Sequence, residues 1–124
     1  MTSPLKIMAF CTLTAVLLAA RVQAQEFDSA VYVPGTEDVP LMPGLAAAAD
    51  GGLVFDQPQG RIVEATASGS VRRRDVIAFY RASLPELGWA VRGNRNFERS
   101  GERLSLDFNG RDGRLTVDFT LVPG

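Results

Sequence analysis

Near the carboxyl end of the chain, apolar and polar residues alternate with a period of two. Leu104, Leu106 and Phe108 alternate with Ser105 and Asp107, and Leu115, Val117, Phe119 and Leu121 alternate with Thr116, Asp118 and Thr120. Successive side chains of a strand point to opposite faces, so each run is a strand with one apolar face. A hairpin closed over Gly110-Arg111-Asp112-Gly113 sets Phe108 opposite Leu115, Leu106 opposite Val117 and Leu104 opposite Phe119. All the apolar residues then share one face, and a slip of one residue would turn a whole row into water.

Upstream the period changes. Ile62 to Ala67 is rich in β-branched residues and alanine and ends at the turn residues Ser68-Gly69-Ser70, which predicts a strand. A helix follows over about Arg73 to Leu87: at 100° per residue Val76, Leu87, Tyr80, Leu84 and Ile77 fall within about 100° of arc, with Arg74, Ala78, Arg81 and Ala82 opposite. Pro85 removes a backbone donor, so the helix ends or kinks near Leu84, and Gly88 supplies a left-handed stop before Trp89 opens the next strand. The expected fold class is α+β, an antiparallel sheet in the order β-α-β-β-β with one helix packed on one face. Leu53-Val54-Phe55 offers one extra short strand before it.

The chain divides into three parts. Residues 1–24 read as a secretory signal peptide: the amino terminus and Lys6 are positive, Ile7 to Ala20 is apolar, and Val22-Gln23-Ala24 places small side chains where a signal peptidase accepts them. The apolar run reaches roughly 21 Å as a helix, short of the roughly 30 Å core of a bilayer, so no stable membrane anchor is expected after cleavage before Gln25. Cys11 lies inside the run, where it cannot serve as a lipoprotein cysteine. The expected destination is the periplasm or the medium. Residues 25–60 carry Pro34, Gly35, Pro40, Pro43, Gly44, Gly51, Gly52, Pro58 and Gly60, a density that rules out a long helix or strand. This segment is nonetheless rich in apolar residues, Val31-Tyr32-Val33, Val39, Leu41, Met42, Leu45 and Leu53-Val54-Phe55, and is expected to lie extended along the α+β domain of residues 61–124.

Removal of the signal changes the available chemistry. Losing Lys6 and Arg21 leaves eleven basic residues, all Arg, against fourteen acidic ones, a net charge of minus three. A nucleic-acid footprint is normally strongly basic, so no nucleic-acid partner is expected. The remainder has no Cys, His or Lys. Disulfides, thiolate nucleophiles, histidine bases and Schiff bases therefore have no residues to use, and no cofactor or metal is expected.

The run Asp75-Val76-Ile77-Ala78-Phe79-Tyr80, followed by Leu84-Pro85-Glu86-Leu87-Gly88-Trp89, resembles the "V..FY...LP.LGW" helix of small exported proteobacterial proteins of unknown function, in which a strand precedes the helix and a meander follows. In order of elements it is also similar to the small domains of the lipoprotein C subunit of the outer-membrane β-barrel assembly machine. That family's lipid-bearing cysteine has no counterpart here. The resemblance implies a fold and an envelope setting and carries over no functional residue.

Three local features have candidate chemistry. Asp107-Phe108-Asn109-Gly110-Arg111-Asp112-Gly113 suggests a calcium loop, but an EF-hand needs an oxygen ligand fifth and Gly sixth, where Arg111 and Asp112 stand. Asp107 and Asp118 share the polar face as diagonal neighbours roughly 7 to 8 Å apart, a separation compatible with an inverting glycosidase, though on a face without walls. Arg72-Arg73-Arg74 places three cations at a helix amino terminus, against the macrodipole, where an anion would relieve the repulsion; Phe79, outside the apolar arc, is a candidate contact patch. These readings favour a non-catalytic binding or protein-interaction module of the bacterial envelope, its partner an envelope protein or an anionic ligand. The alternative is a small carboxylate-dependent hydrolase. A cleft with a buried carboxylate would favour the enzyme, and an open apolar groove or sheet edge would favour binding.

Overall fold

The computed structural model describes residues 31–124, so the signal peptide expected at 1–24 lies outside the described residues. The fold is α+β: seven antiparallel strands form one sheet, and a single α-helix packs on one face. The strands are β1 (Ala46–Ala47), β2 (Leu53–Gln57), β3 (Gly60–Gly69), β4 (Ala90–Val91), β5 (Asn96–Arg99), β6 (Glu102–Arg111) and β7 (Arg114–Pro123); the helix α1 spans Arg73–Ser83. The sheet runs β1-β3-β7-β6-β5-β4, and β2 pairs with β3 further along the edge that β1 also occupies. Among the described residues no helix is long and apolar enough to cross a membrane.

The core lies between α1 and the sheet. Val63, Ala65 and Ala67 of β3, Leu104 and Leu106 of β6, and Leu115, Val117, Phe119 and Leu121 of β7 are buried, as are Val76 and Tyr80 of α1 and the adjoining Leu84. The Tyr80 ring meets Phe119 edge-on at 5.6 Å. Helix α1 stops before Pro85, a 3-10 turn covers Pro85–Leu87, and Gly88 adopts φ 91°, the left-handed conformation that costs glycine little. The 3-10 turn takes the chain off the helical wheel, so Leu87, expected on the apolar arc, is 39 % exposed.

Strand count and register differ from the sequence expectation. Four strands follow the helix rather than three, because the chain turns between β4 and β5. Two precede it besides β3. The β6–β7 hairpin closes on Asp112-Gly113 alone, with Arg111 opposite Arg114 and Gly113 at φ 88°. Phe108 therefore faces Val117, Leu106 faces Phe119 and Leu104 faces Leu121. This register is two residues from the expected one. A shift of two conserves the faces, so the apolar pattern is equally satisfied and turn chemistry decides.

The segment before β2 lies on the helix side of the core. Val33, Val39, Leu41 and Leu45 are buried. The Tyr80 hydroxyl donates to the Pro40 carbonyl at 2.8 Å and accepts from the Met42 amide at 3.1 Å. Val31 and Tyr32, as apolar as their neighbours, are exposed, and so are Leu53, Val54 and Phe55 of β2. Gly69 has no room for a side chain, because the Gly44 carbonyl passes directly over its α-carbon.

Candidate functional site

Of the residues singled out for chemistry, Arg72, Arg73 and Arg74 lie at one end of the domain, where α1 begins and the β6–β7 hairpin ends, while Phe79, Asp107 and Asp118 lie elsewhere. Arg72, the residue before α1, is extended and its side chain caps nothing. The cap comes from the far side of the chain. The Asp112 carboxylate, at the hairpin tip, accepts from the Arg73 backbone amide at 2.9 Å, and the Gly113 amide donates to the Val71 carbonyl at 2.9 Å. An acidic side chain here satisfies a free amide and complements the helix dipole. It also fastens the hairpin tip to the helix start.

This tie recruits two further cations. Arg111 and Arg114 face each other across β6 and β7; Arg111 lines one hollow with Arg73 and Arg74, and Arg114 lines a neighbouring one with Ser68, Gly69 and Ser70. Arg73, Arg74 and Arg111, with Asp112, rim a surface pocket of about 400 Å³ completed by Ile77, Gly110 and Leu115. Arg73 lies over the Phe108 ring at 5.2 Å, a cation–π contact that fixes its direction. None of Arg72, Arg73, Arg74, Arg111 and Arg114 forms an ion pair among the described residues, whereas Arg92, Arg95, Arg99 and Arg103 each reach a carboxylate. Two unfavourable arrangements therefore coincide, three cations against a dipole and two like charges opposed across a strand pair.

Phe79 is half-buried, packed on the core and set edge-on to Tyr80 at 4.9 Å, away from the arginine pocket. The residue of that helical turn that touches the preceding segment through hydrogen bonds is Tyr80. Its role was hidden in sequence because it reads simply as a core aromatic.

The carboxylate pair is rearranged by the hairpin register. Asp107 and Asp118 are direct partners across β6 and β7 rather than diagonal neighbours. Asp118 already accepts from the Thr66 hydroxyl at 2.8 Å and from the Asn109 side-chain amide at 2.8 Å, and Asp107 is paired with Arg95 at 3.6 Å. Among the described residues no charged side chain is buried and no three metal-ligating side chains gather. A second hollow of about 420 Å³ includes Arg92, Glu98, Arg99 and Arg103, which are engaged in ion pairs, together with Glu102, which is not.

One further cluster holds the fold together. Arg99 forms two hydrogen bonds to the Asp38 carboxylate, at 2.6 and 3.1 Å, donates to the Leu87 carbonyl at 3.0 Å and stacks over Trp89 at 4.3 Å. Hydrogen bonding to Arg99 holds the Asp38 carboxyl below the usual carboxylate range, and the partnership raises the Arg99 guanidinium. Compared with family models, curated proteins and solved structures, the chain matches none of them.

Proposed function

We propose that this protein is an exported, non-catalytic binding module of the bacterial envelope that takes an anionic partner at the arginine end of its domain. The observation that carries the reading is the convergence of Arg73, Arg74 and Arg111, none of them in an ion pair among the described residues, around a pocket with Ile77 and Leu115 in its wall; Arg72 adjoins it in sequence and Arg114 lies opposite Arg111. Such a cluster costs stability in the free protein, and a phosphate or carboxylate bound there would offset that cost. The apolar wall suits a ligand whose anionic group is joined to an apolar part. The carboxylates considered for hydrolysis lie on an open face and are committed to Thr66, Asn109 and Arg95, which favours binding over chemistry.

Export rests on the sequence of residues 1–24, and the resemblance of the helix motif to small exported proteins agrees with it. Intact-mass measurement of protein recovered from the envelope fraction is expected to give a chain beginning at Gln25; a full-length or lipidated species would remove the basis for a periplasmic role. Binding is tested by co-sedimentation with vesicles of anionic and of neutral lipid, with inorganic phosphate as competitor. Sedimentation with anionic vesicles alone is expected, weakening with salt and lost in the triple substitution Arg73→Ala, Arg74→Ala, Arg111→Ala. Equal binding by this variant would refute the site.

A further inference from the structure

A smaller hollow, of about 290 Å³, adjoins the arginine pocket. Strand pairing dictates its polar lining. Ser68 and Thr116 are direct partners across β3 and β7, and Arg114 precedes Thr116 by two residues, so all three stand on the face of the sheet that carries no helix. The chain leaves β3 through Ser70, which also lines the hollow, and the Gly113 amide then ties it to the hairpin tip through the Val71 carbonyl. Ser70 precedes that tie in the chain and Arg73 follows it, and Leu115 borders both hollows.

The groups gathered there are donors. Arg114 reaches no carboxylate, and the hydroxyls of Ser68, Ser70 and Thr116 have no protein partner among the described residues, whereas those of Thr66 and Ser105 are taken by Asp118 and Asn96. No carboxylate lines this hollow, in a chain with fourteen acidic residues against thirteen basic ones. The arginine pocket, by contrast, includes Asp112, and the hollow beside Arg99 includes Glu98 and Glu102. The fork of one guanidinium and three hydroxyls offer about five donors to a single ligand. A carboxylate has two oxygens to receive them, and a phosphate ester has three. Arg111 and Arg114, directly opposed across the strands, also repel each other, and an anion beside each offsets that repulsion.

We infer, on the reading of Arg73, Arg74 and Arg111 as an anion site, that Arg114, Ser68, Ser70 and Thr116 form a second phosphate subsite, and that the partner presents two phosphate groups to this end of the domain. Two phosphates come either from neighbouring headgroups of an anionic bilayer or from one soluble bisphosphate, and the chemistry that recognises them is the same. A ligand with a single anionic group fills only half of the paired site.

Backbone amide chemical shifts distinguish the two hollows. Titration of the purified protein with inorganic phosphate is expected to move the amides of Ser68, Ser70 and Thr116 together with those of Arg73 and Arg74, and acetate at the same concentration should leave the first group in place. In Arg114→Ala the response of Ser68, Ser70 and Thr116 should disappear while that of Arg73 and Arg74 remains. Arg114 is exposed and its removal relieves a like-charge contact, so the fold is retained; should the hairpin be disturbed, Ser70→Ala tests the same hollow from the loop. Two further arms identify the source of the phosphates. Arg114→Ala is expected to weaken binding about tenfold, the worth of one charge-assisted contact, toward phosphatidylglycerol vesicles if headgroups are the ligand, or toward a hexose 1,6-bisphosphate in calorimetry if a soluble molecule is. A response confined to Arg73 and Arg74 would overturn the second subsite and leave the anion site standing, whereas no response in either group would remove both. An equal response to acetate at Ser68, Ser70 and Thr116, or full affinity of Arg114→Ala in both arms, would also overturn the proposal.

Discussion

Replacing Tyr80 by Phe removes one oxygen atom from the centre of the structure. The ring keeps its volume and its edge-on contacts with Phe119 and Phe79, so any loss of stability reports on the hydroxyl alone. That hydroxyl serves two backbone groups, the Pro40 carbonyl and the Met42 amide. Deleting it leaves a donor and an acceptor of the docked segment without their partner, and a stranded polar group costs about 1–3 kcal/mol. For a domain of this size each kcal/mol lowers the midpoint by roughly 4–8 °C, so Tyr80→Phe should melt at least about 4 °C below the parent. The loss should be local as well: exchange of the Met42 amide, protected in the parent, should accelerate in the variant more than that of amides in β6 and β7. There is also a pH signature. Burial raises the Tyr80 phenol above the usual tyrosine range. A group whose folded value is raised contributes stability that is present below the unfolded value, about 10, and is lost as pH rises past it. The gap between parent and variant should therefore narrow above about pH 10. An unchanged midpoint together with unchanged Met42 exchange would refute the claim that Tyr80 fastens the segment.

Two other substitutions test neighbouring links. Asp38 is held below the usual carboxylate range, first by hydrogen bonding to Arg99, so its contribution is present above about pH 4 and is lost as pH falls through its lowered value. Asp38→Asn should accordingly melt below the parent near neutral pH and converge with it toward about pH 2, followed by circular dichroism; parallel melting curves at all pH values would show that the pair with Arg99 adds nothing. Asp112→Ala should act in two opposite directions. It removes the carboxylate on the Arg73 amide, costing roughly 0.5–1 kcal/mol because the bond is exposed, and it strengthens sedimentation with anionic vesicles by removing the one negative charge at the pocket rim. A variant that binds anionic vesicles more weakly would contradict the proposed polarity of the patch.

The fold class was legible because two periodicities are clean. Alternation over Leu104 to Phe108 and Leu115 to Leu121 defines two half-buried strands, and the spacing of Val76, Tyr80 and Leu84 defines the buried face of one helix. What escaped has identifiable causes. Alternation has period two, so it fixes faces and is blind to a register shift of two. β5 contains one apolar residue, Phe97, among charged and polar ones, and no alternation reveals that this single ring is fully buried. β1 is two alanines, a strand only because β3 already presents an edge beside it. The exposure of Leu53, Val54 and Phe55 ran against hydrophobicity, since nothing local distinguishes an apolar strand inside a sheet from one at its rim.

The site was half legible for a related reason. Arg72-Arg73-Arg74 is visible as a run, but Arg111 and Arg114 lie on the far side of the chain and join it only through the hairpin. Closing that hairpin on Asp112-Gly113 has two effects that pull against each other. It delivers Asp112 to the Arg73 amide, which favours the fold, and it turns Arg111 from a loop residue into a strand residue directly opposed to Arg114, which disfavours it. A four-residue loop over Gly110 to Gly113 would have avoided opposing the two arginines. The observed register keeps the cap and accepts the repulsion, and the same choice brings the five cations together at one end of the domain. Charge at this end is thus a consequence of how the turn closes, and a substitution that lengthens the turn should disperse the patch without removing any arginine from the sequence.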